Sequence, residues 1–221
     1  MASLKEEGRL LVRIGLVVSY SSMYHTFHLV SLFAGVLNLL LAVFVLFINP
    51  RRRLNRIFLV GGLGVAAWNL GTSALSQIAT AADALFCARI LFMGGVFIPP
   101  AFYHLAVETA EIRHTRLKVW LAYGGSAVFV ILNFTSYFIT DVRPYHAIFR
   151  ANGGPAFWVF CFIFFPLLAW AAISTLAKYC HNAPPSSSRS AQFVLIGVSV
   201  LLLGAFHDMM SVSGWDKYPG T

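Results

Sequence analysis

The costliest residues in this sequence are polar side chains stranded inside long apolar runs, because in such surroundings each needs a partner or a task. Arg89 stands near the start of one run and Asp208 in the last quarter of another, at matched depths if both runs are helices. An ion pair would neutralise both charges in a low dielectric, and losing one partner would leave an expensive uncompensated charge. The simpler alternative has Arg89 snorkelling to headgroups while Asp208, beside His207, meets water. Asn38 and Asn69 also share a depth, and their amides could bond across two helices, worth about 0.6 to 2 kcal/mol. That bond would be bundle glue on the plain reading and a ligand contact on the other. His104 and Glu108 lie four apart, hence on one helix face, where they could relay protons or offer two metal ligands. A metal site needs a third ligand at that depth, and spacing supplies none, so hydrogen bonding at the membrane interface is the expectation for this pair. There is no HExxH and no nucleophile placed with a base. Neither a metal nor a cofactor is expected.

The elements that must position these residues are six apolar stretches. They run from Leu29 to Ile48, Ile57 to Gln77, Leu85 to Val107, Val119 to Ile139, Pro155 to Ala177 and Ala191 to Val212. A helix of about 20 residues crosses a hydrocarbon core of about 30 Å, whereas a barrel strand needs only about 10 residues. Lipid offers no hydrogen bonds to a backbone, so the stretches are expected as helices. The fold class that follows is an all-α integral membrane protein, a bundle of six transmembrane helices.

Composition agrees. With 58% hydrophobic and 11% charged residues, the chain lacks the polar surface a soluble domain requires. The net charge of +8 sits in short loops beside the span ends, where it orients the chain and meets anionic headgroups rather than nucleic acid. Arg51, Arg52, Arg53 and Arg56, then Arg113, Arg116 and Lys118, then Lys178 and Arg189 mark three cytoplasmic loops. The loop from Thr80 to Asp83 has no cation, and the fourth has only Arg143 and Arg150, so these face outward. The N-terminus is then extracytoplasmic, against the pull of Lys5, Arg9 and Arg13. The tail with Trp215, Asp216 and Tyr218 lies outside too. Localisation in the cell's inner (plasma) membrane follows.

Residues 1–28 form a separate N-terminal segment, and residues 29–221 the membrane domain. Arg9 to Tyr20 is apolar but too short to span, which suits an interfacial position. Two ends outside cannot deliver a signal inward, and Tyr218 to Thr221 read as the approach to a seventh span, so a truncated frame is expected. Cys87 and Cys161 lie near the outer ends of their runs. Their pairing is geometrically allowed, but buried or lipid-facing thiols are the plainer expectation. Pro99 and Pro100 fall within the third run and Pro166 within the fifth, where a missing backbone donor kinks a helix and can make a hinge or cavity. Gly61, Gly62, Gly64 and Gly71, with Gly94 and Gly95, would let two helices approach closely.

Several pieces in order resemble a known family. They are Asn49 and Pro50 with basic residues and then Asn55, Ala67 and Trp68 in the second run, and Phe86, Ala88 and Arg89 opening the third. Phe97, Pro99, Pro100, Phe102 and His104 close the third run. Arg189, Gln192, Asp208, Gly214, Tyr218 and Pro219 follow later. The pattern resembles the N-terminal seven-helix membrane region in front of bacterial sensor histidine kinases, and sometimes before cyclic-dinucleotide synthases. The resemblance implies a sensory input module that passes a conformational change to a cytoplasmic output domain. The sequence departs from it in lacking a seventh span and a kinase.

The leading expectation is therefore a receptor-type bundle, with Arg89, Asp208, Asn38 and Asn69 as sensing residues and Pro99 with Pro100 as the hinge. Expected partners are membrane lipids, a small ligand or membrane stimulus, a kinase or other output domain, and a second copy of the chain. The runner-up is a small-solute transporter or channel subunit, which would need a continuous polar path or paired broken helices at mid-depth.

Overall fold

The computed structural model describes residue 26, residues 28–145 and residues 148–212. Expectations for the N-terminal segment and for the tail from Ser213 onward lie outside the described residues. The helices are α1 (His28–Ile48), α2 (Arg53–Leu75), α3 (Ala81–Gly95), α4 (Ile98–Thr109), α5 (Arg116–Asn133), α6 (Pro155–Val159), α7 (Phe165–Asn182) and α8 (Pro185–Val212). Five helical segments are long and apolar enough to cross a membrane: α1, α2, α3 with α4 (Ala81–Thr109), α6 with α7 (Pro155–Asn182), and most of α8 (Ser187–Asp208). The shorter α5, with Arg116 and Lys118 in its first turn, is not among these five. The result is an all-α membrane bundle with two ends. One is rich in arginine, and the other carries a small β-hairpin.

Close helix contact depends on glycine at a few positions. A Cβ on Gly94 would lie 2.6 Å from the Cβ of Ala67, and one on Gly64 would lie 3.0 Å from the Gly94 carbonyl oxygen, so α2 and α3 touch backbone to backbone. Without a water-driven hydrophobic force between helices in lipid, such close packing is a main source of association. Gly62 does the same for α1, where a Cβ would meet Ala42 at 2.6 Å.

Proline explains the break between α3 and α4. Pro99 and Pro100 have no N–H for the carbonyls of Gly95 and Val96, so the helix cannot continue its ladder through Val96 and Phe97. The Val96 carbonyl is recovered from outside, by the hydroxyl of buried Ser126 on α5 at 2.7 Å. The helix is therefore interrupted between Gly95 and Ile98, with both prolines fully buried. Pro166 acts similarly in the fifth span. Residues Phe160–Phe164 widen into a π turn just before it, and the Phe165 N–H reaches the Phe160 carbonyl.

The fourth span corrects the sequence reading. Helix α5 stops at Asn133, not near Ile139, because the buried Asn133 side chain turns back and donates to the Arg89 carbonyl on α3 at 2.6 Å. The chain then forms an antiparallel hairpin of β1 (Ile139–Tyr145) and β2 (Ile148–Gly153), with Val142 opposite Ala151 and Arg143 opposite Arg150. Beneath the hairpin sits an aromatic core. Phe92, Phe129, Phe138, Phe157 and Phe160 pack mostly edge to face, with Phe92 and Phe157 at 5.5 Å and 90°. Apolar side chains elsewhere on α1, α5 and α8 point outward, Phe47 and Trp120 among them, as a lipid-facing surface requires.

Candidate functional site

Two irregular features and one regular helix converge on one small cavity toward the hairpin half of the bundle. The α3/α4 break contributes Gly95 and Ile98, the end of the π turn contributes Phe165, and α8 contributes Gly204 and Asp208. Trp68 and Asn69 of α2 complete a space of about 170 Å3. Gly95 is required here by proximity. A Cβ on it would lie 2.7 Å from the Trp68 ring, so only a bare backbone lets the indole lie against α3. Phe92 fixes the same indole edge to face, with centroids 5.1 Å apart. The ring so held aims its Nε1–H at Oδ2 of Asp208, 3.1 Å away. The wall is otherwise apolar, except for Asn69. The site can hold a small, mainly apolar molecule that offers one hydrogen-bond donor or a positive charge.

Two of the four sensing candidates, Asn69 and Asp208, line this cavity, and the break at Pro99 and Pro100 borders it. The other two do not. The ion pair between Arg89 and Asp208 is absent: Asp208 accepts from Trp68 and lies 3.7 Å from its neighbour His207. Equal depth does not fix azimuth, and α8 packs mainly on α7 and α4 rather than α3. The Arg89 Nε is instead buried without a partner, as is Oδ1 of Asn133 beside it. The Asn38–Asn69 bond is absent as well. Asn38 donates to the Ala34 carbonyl at 2.8 Å and Asn69 to the Val65 carbonyl at 2.9 Å, each within its own helix. The carbonyl four residues back is always within reach of such an amide and outcompetes a neighbour that is not perfectly facing.

At the arginine-rich end a second polar group forms around Arg53. Its Nε lies 3.4 Å from Oε2 of Glu108, and its Nη2 donates to Nε2 of His104 at 3.4 Å. On the other side of the ring, His104 Nδ1 faces the Tyr123 hydroxyl at 3.4 Å. These long contacts tie α2, α4 and α5 together, which is the hydrogen-bonding role expected for His104 and Glu108. Among the described residues no group of three or more His, Cys, Asp or Glu is placed to hold a metal. The three thiols are free.

Sequence reasoning missed Trp68 as a site residue, although the signal was there. A tryptophan inside an apolar helix carries an N–H that needs an acceptor, and Asp208 was the one carboxylate in a late span. Asn55, by contrast, is explained by local structure. Its amide donates to the carbonyls of Val45 and Asn49, while Asn49 Oδ1 accepts from the N–H groups of Arg51 and Arg52, so the pair shapes the turn between α1 and α2.

Neither the curated proteins nor the solved structures include a match to this chain. A family does match, over residues 30–220, which takes in all of α1 but its first two residues and every later helix. With its multi-pass apolar bundle, its broken third span and its arginine-marked turns, the chain belongs to the family described as the N-terminal 7TM region of histidine kinase.

Proposed function

We propose that this chain is the membrane-embedded input module of a receptor of the histidine kinase type, with the Trp68–Asp208 cavity as its reception site. The observation that carries the reading is the convergence of the α3/α4 break, the π turn and a tryptophan–aspartate bond on one cavity. Broken and widened helices are where a bundle has two packings of similar energy, and π turns recur at functional sites. A ligand that competes for the Asp208 carboxylate would free the indole from α8, and the indole rests on Gly95 at the break. The α4 half-helix would then tilt relative to α3, moving the Arg53–His104–Glu108 group at the other end. In this reading the arginine-rich end faces the cytoplasm, the N-terminus lies outside, and the movement passes to an output domain outside these 221 residues. Only differential affinity for the two packings can drive the shift.

The test is a distance. Spin labels at Phe47→Cys on α1 and His114→Cys just beyond α4 report the gap at the arginine-rich end in lipid nanodiscs. Adding Trp68→Phe, which keeps an aromatic ring but deletes the N–H donor, is expected to shift or broaden that distance distribution. An unchanged distribution refutes coupling between the cavity and that end.

A further inference from the structure

A much larger cavity, about 1500 Å3, opens at the arginine-rich end between α2, α4, α5, α7 and α8. Its charge is unbalanced. Arg53 is engaged by Glu108, but Arg52, Arg56 and Arg116 line the same space with no ion pair among the described residues. Glu111 is the remaining acid in the lining.

Helix polarity adds to the imbalance. The N-termini of α2, α5 and α8 all reach this cavity, and none of the three has an acidic residue in its first turn. Neither Arg52 nor Thr115 caps its helix through its side chain, and the Thr115 hydroxyl donates instead to the Ile112 carbonyl. The positive ends of three helix dipoles thus meet three guanidinium groups with no ion pair among the described residues. Cations are unfavourable at helix N-termini, so the arrangement is electrostatically frustrated until an anion enters. The hydroxyl of Thr109, another lining residue, is buried with no partner. Toward the bundle's middle the wall turns apolar, through Ile57, Val60, Val119 and Val194, with Trp120 exposed at the rim.

We infer that this cavity binds the headgroup of an anionic phospholipid, its phosphate set among Arg52, Arg56 and Arg116 and its acyl chains along the apolar wall and Trp120. Phosphate chemistry alone would also suit a soluble anion. The apolar wall continuous with the lipid-facing surface commits the site to a lipid. The inference needs only that the chain spans a membrane, and it stands or falls independently of the sensory reading.

The experiment is native mass spectrometry of the full chain released from nanodiscs of phosphatidylcholine with and without phosphatidylglycerol. Wild-type protein is expected to retain phosphatidylglycerol selectively. Arg56→Gln and Arg116→Gln are each expected to weaken that retention about fivefold, the worth of one basic group near an anionic surface. Arg143→Gln, on the hairpin at the opposite end, is expected to leave it unchanged. Equal retention of the two lipids by the wild type overturns the inference without any variant having to fold. So does a loss as large with Arg143→Gln, which would mean diffuse charge attraction. Displacement of the retained lipid by millimolar inorganic phosphate would assign the site to a soluble anion instead.

Discussion

The indole Nε1–H of Trp68 and the Oδ2 of Asp208 meet at 3.1 Å across 140 positions of sequence, joining the second span to the last one described. Interhelical hydrogen bonds of this kind contribute about 0.6 to 2 kcal/mol in membranes. A double-mutant cycle with Trp68→Phe and Asp208→Ala, read by thermal unfolding in mild detergent, should give a coupling energy in that range. A coupling indistinguishable from zero would mean the two groups do not interact in the folded protein.

Glycine substitutions separate contact from composition. Gly95→Ala pushes a methyl group into the Trp68 ring, and Gly94→Ala pushes one into Ala67, so each should cost about 1–3 kcal/mol as an overpacked contact. A methyl group on Gly197 of α8 would have nothing within 4 Å of it, and Gly197→Ala should be neutral or slightly stabilising. Thermal melts of the three variants check the ranking. Equal effects at all three would contradict the packing described between α2 and α3.

The bond from Ser126 to the Val96 carbonyl exists because Pro100 cannot supply its own N–H. Ser126→Ala should therefore cost about 1–2 kcal/mol by orphaning a buried carbonyl. The same change in a Pro100→Ala background should cost less, since the restored backbone donor can take over. Strict additivity of the two substitutions would contradict this account of the break.

Helix α4 ends with Glu111 at φ 55, a left-handed position where the Ile112 N–H returns to the Val107 carbonyl. That closing pattern normally uses glycine, which adopts the conformation without a Cβ penalty. Glu111→Gly is expected to raise stability by about 0.5–1 kcal/mol, measured in the same melts. A loss of stability would show that the Glu111 side chain contributes more than its backbone costs.

Much of this architecture could be read directly from the residues, and the reasons for the misses are physical. Hydropathy located the spans because lipid imposes a single requirement on backbone groups, and the proline pair located the break because a missing N–H has one consequence. What a linear reading cannot supply is rotation about each helix axis. Arg89 and Asp208 match in depth yet face different neighbours, and Asn38 and Asn69 each found a carbonyl in their own helix. The end of α5 was misplaced because apolar residues continue past Asn133 to Ile139. The stop depends on one side chain turning back to the Arg89 carbonyl, a tertiary contact that hydropathy does not register.

The central claim is that the state of the Trp68–Asp208 cavity sets the output of an attached kinase. Autophosphorylation of the chain within a receptor carrying its output domain, reconstituted in vesicles, tests it directly. Trp68→Phe and Asp208→Asn should each shift the basal rate several-fold, while Trp170→Phe, at a lipid-exposed position of α7, should leave it unchanged. Identical rates for all three variants and the wild type, at equal expression and stability, would contradict the account.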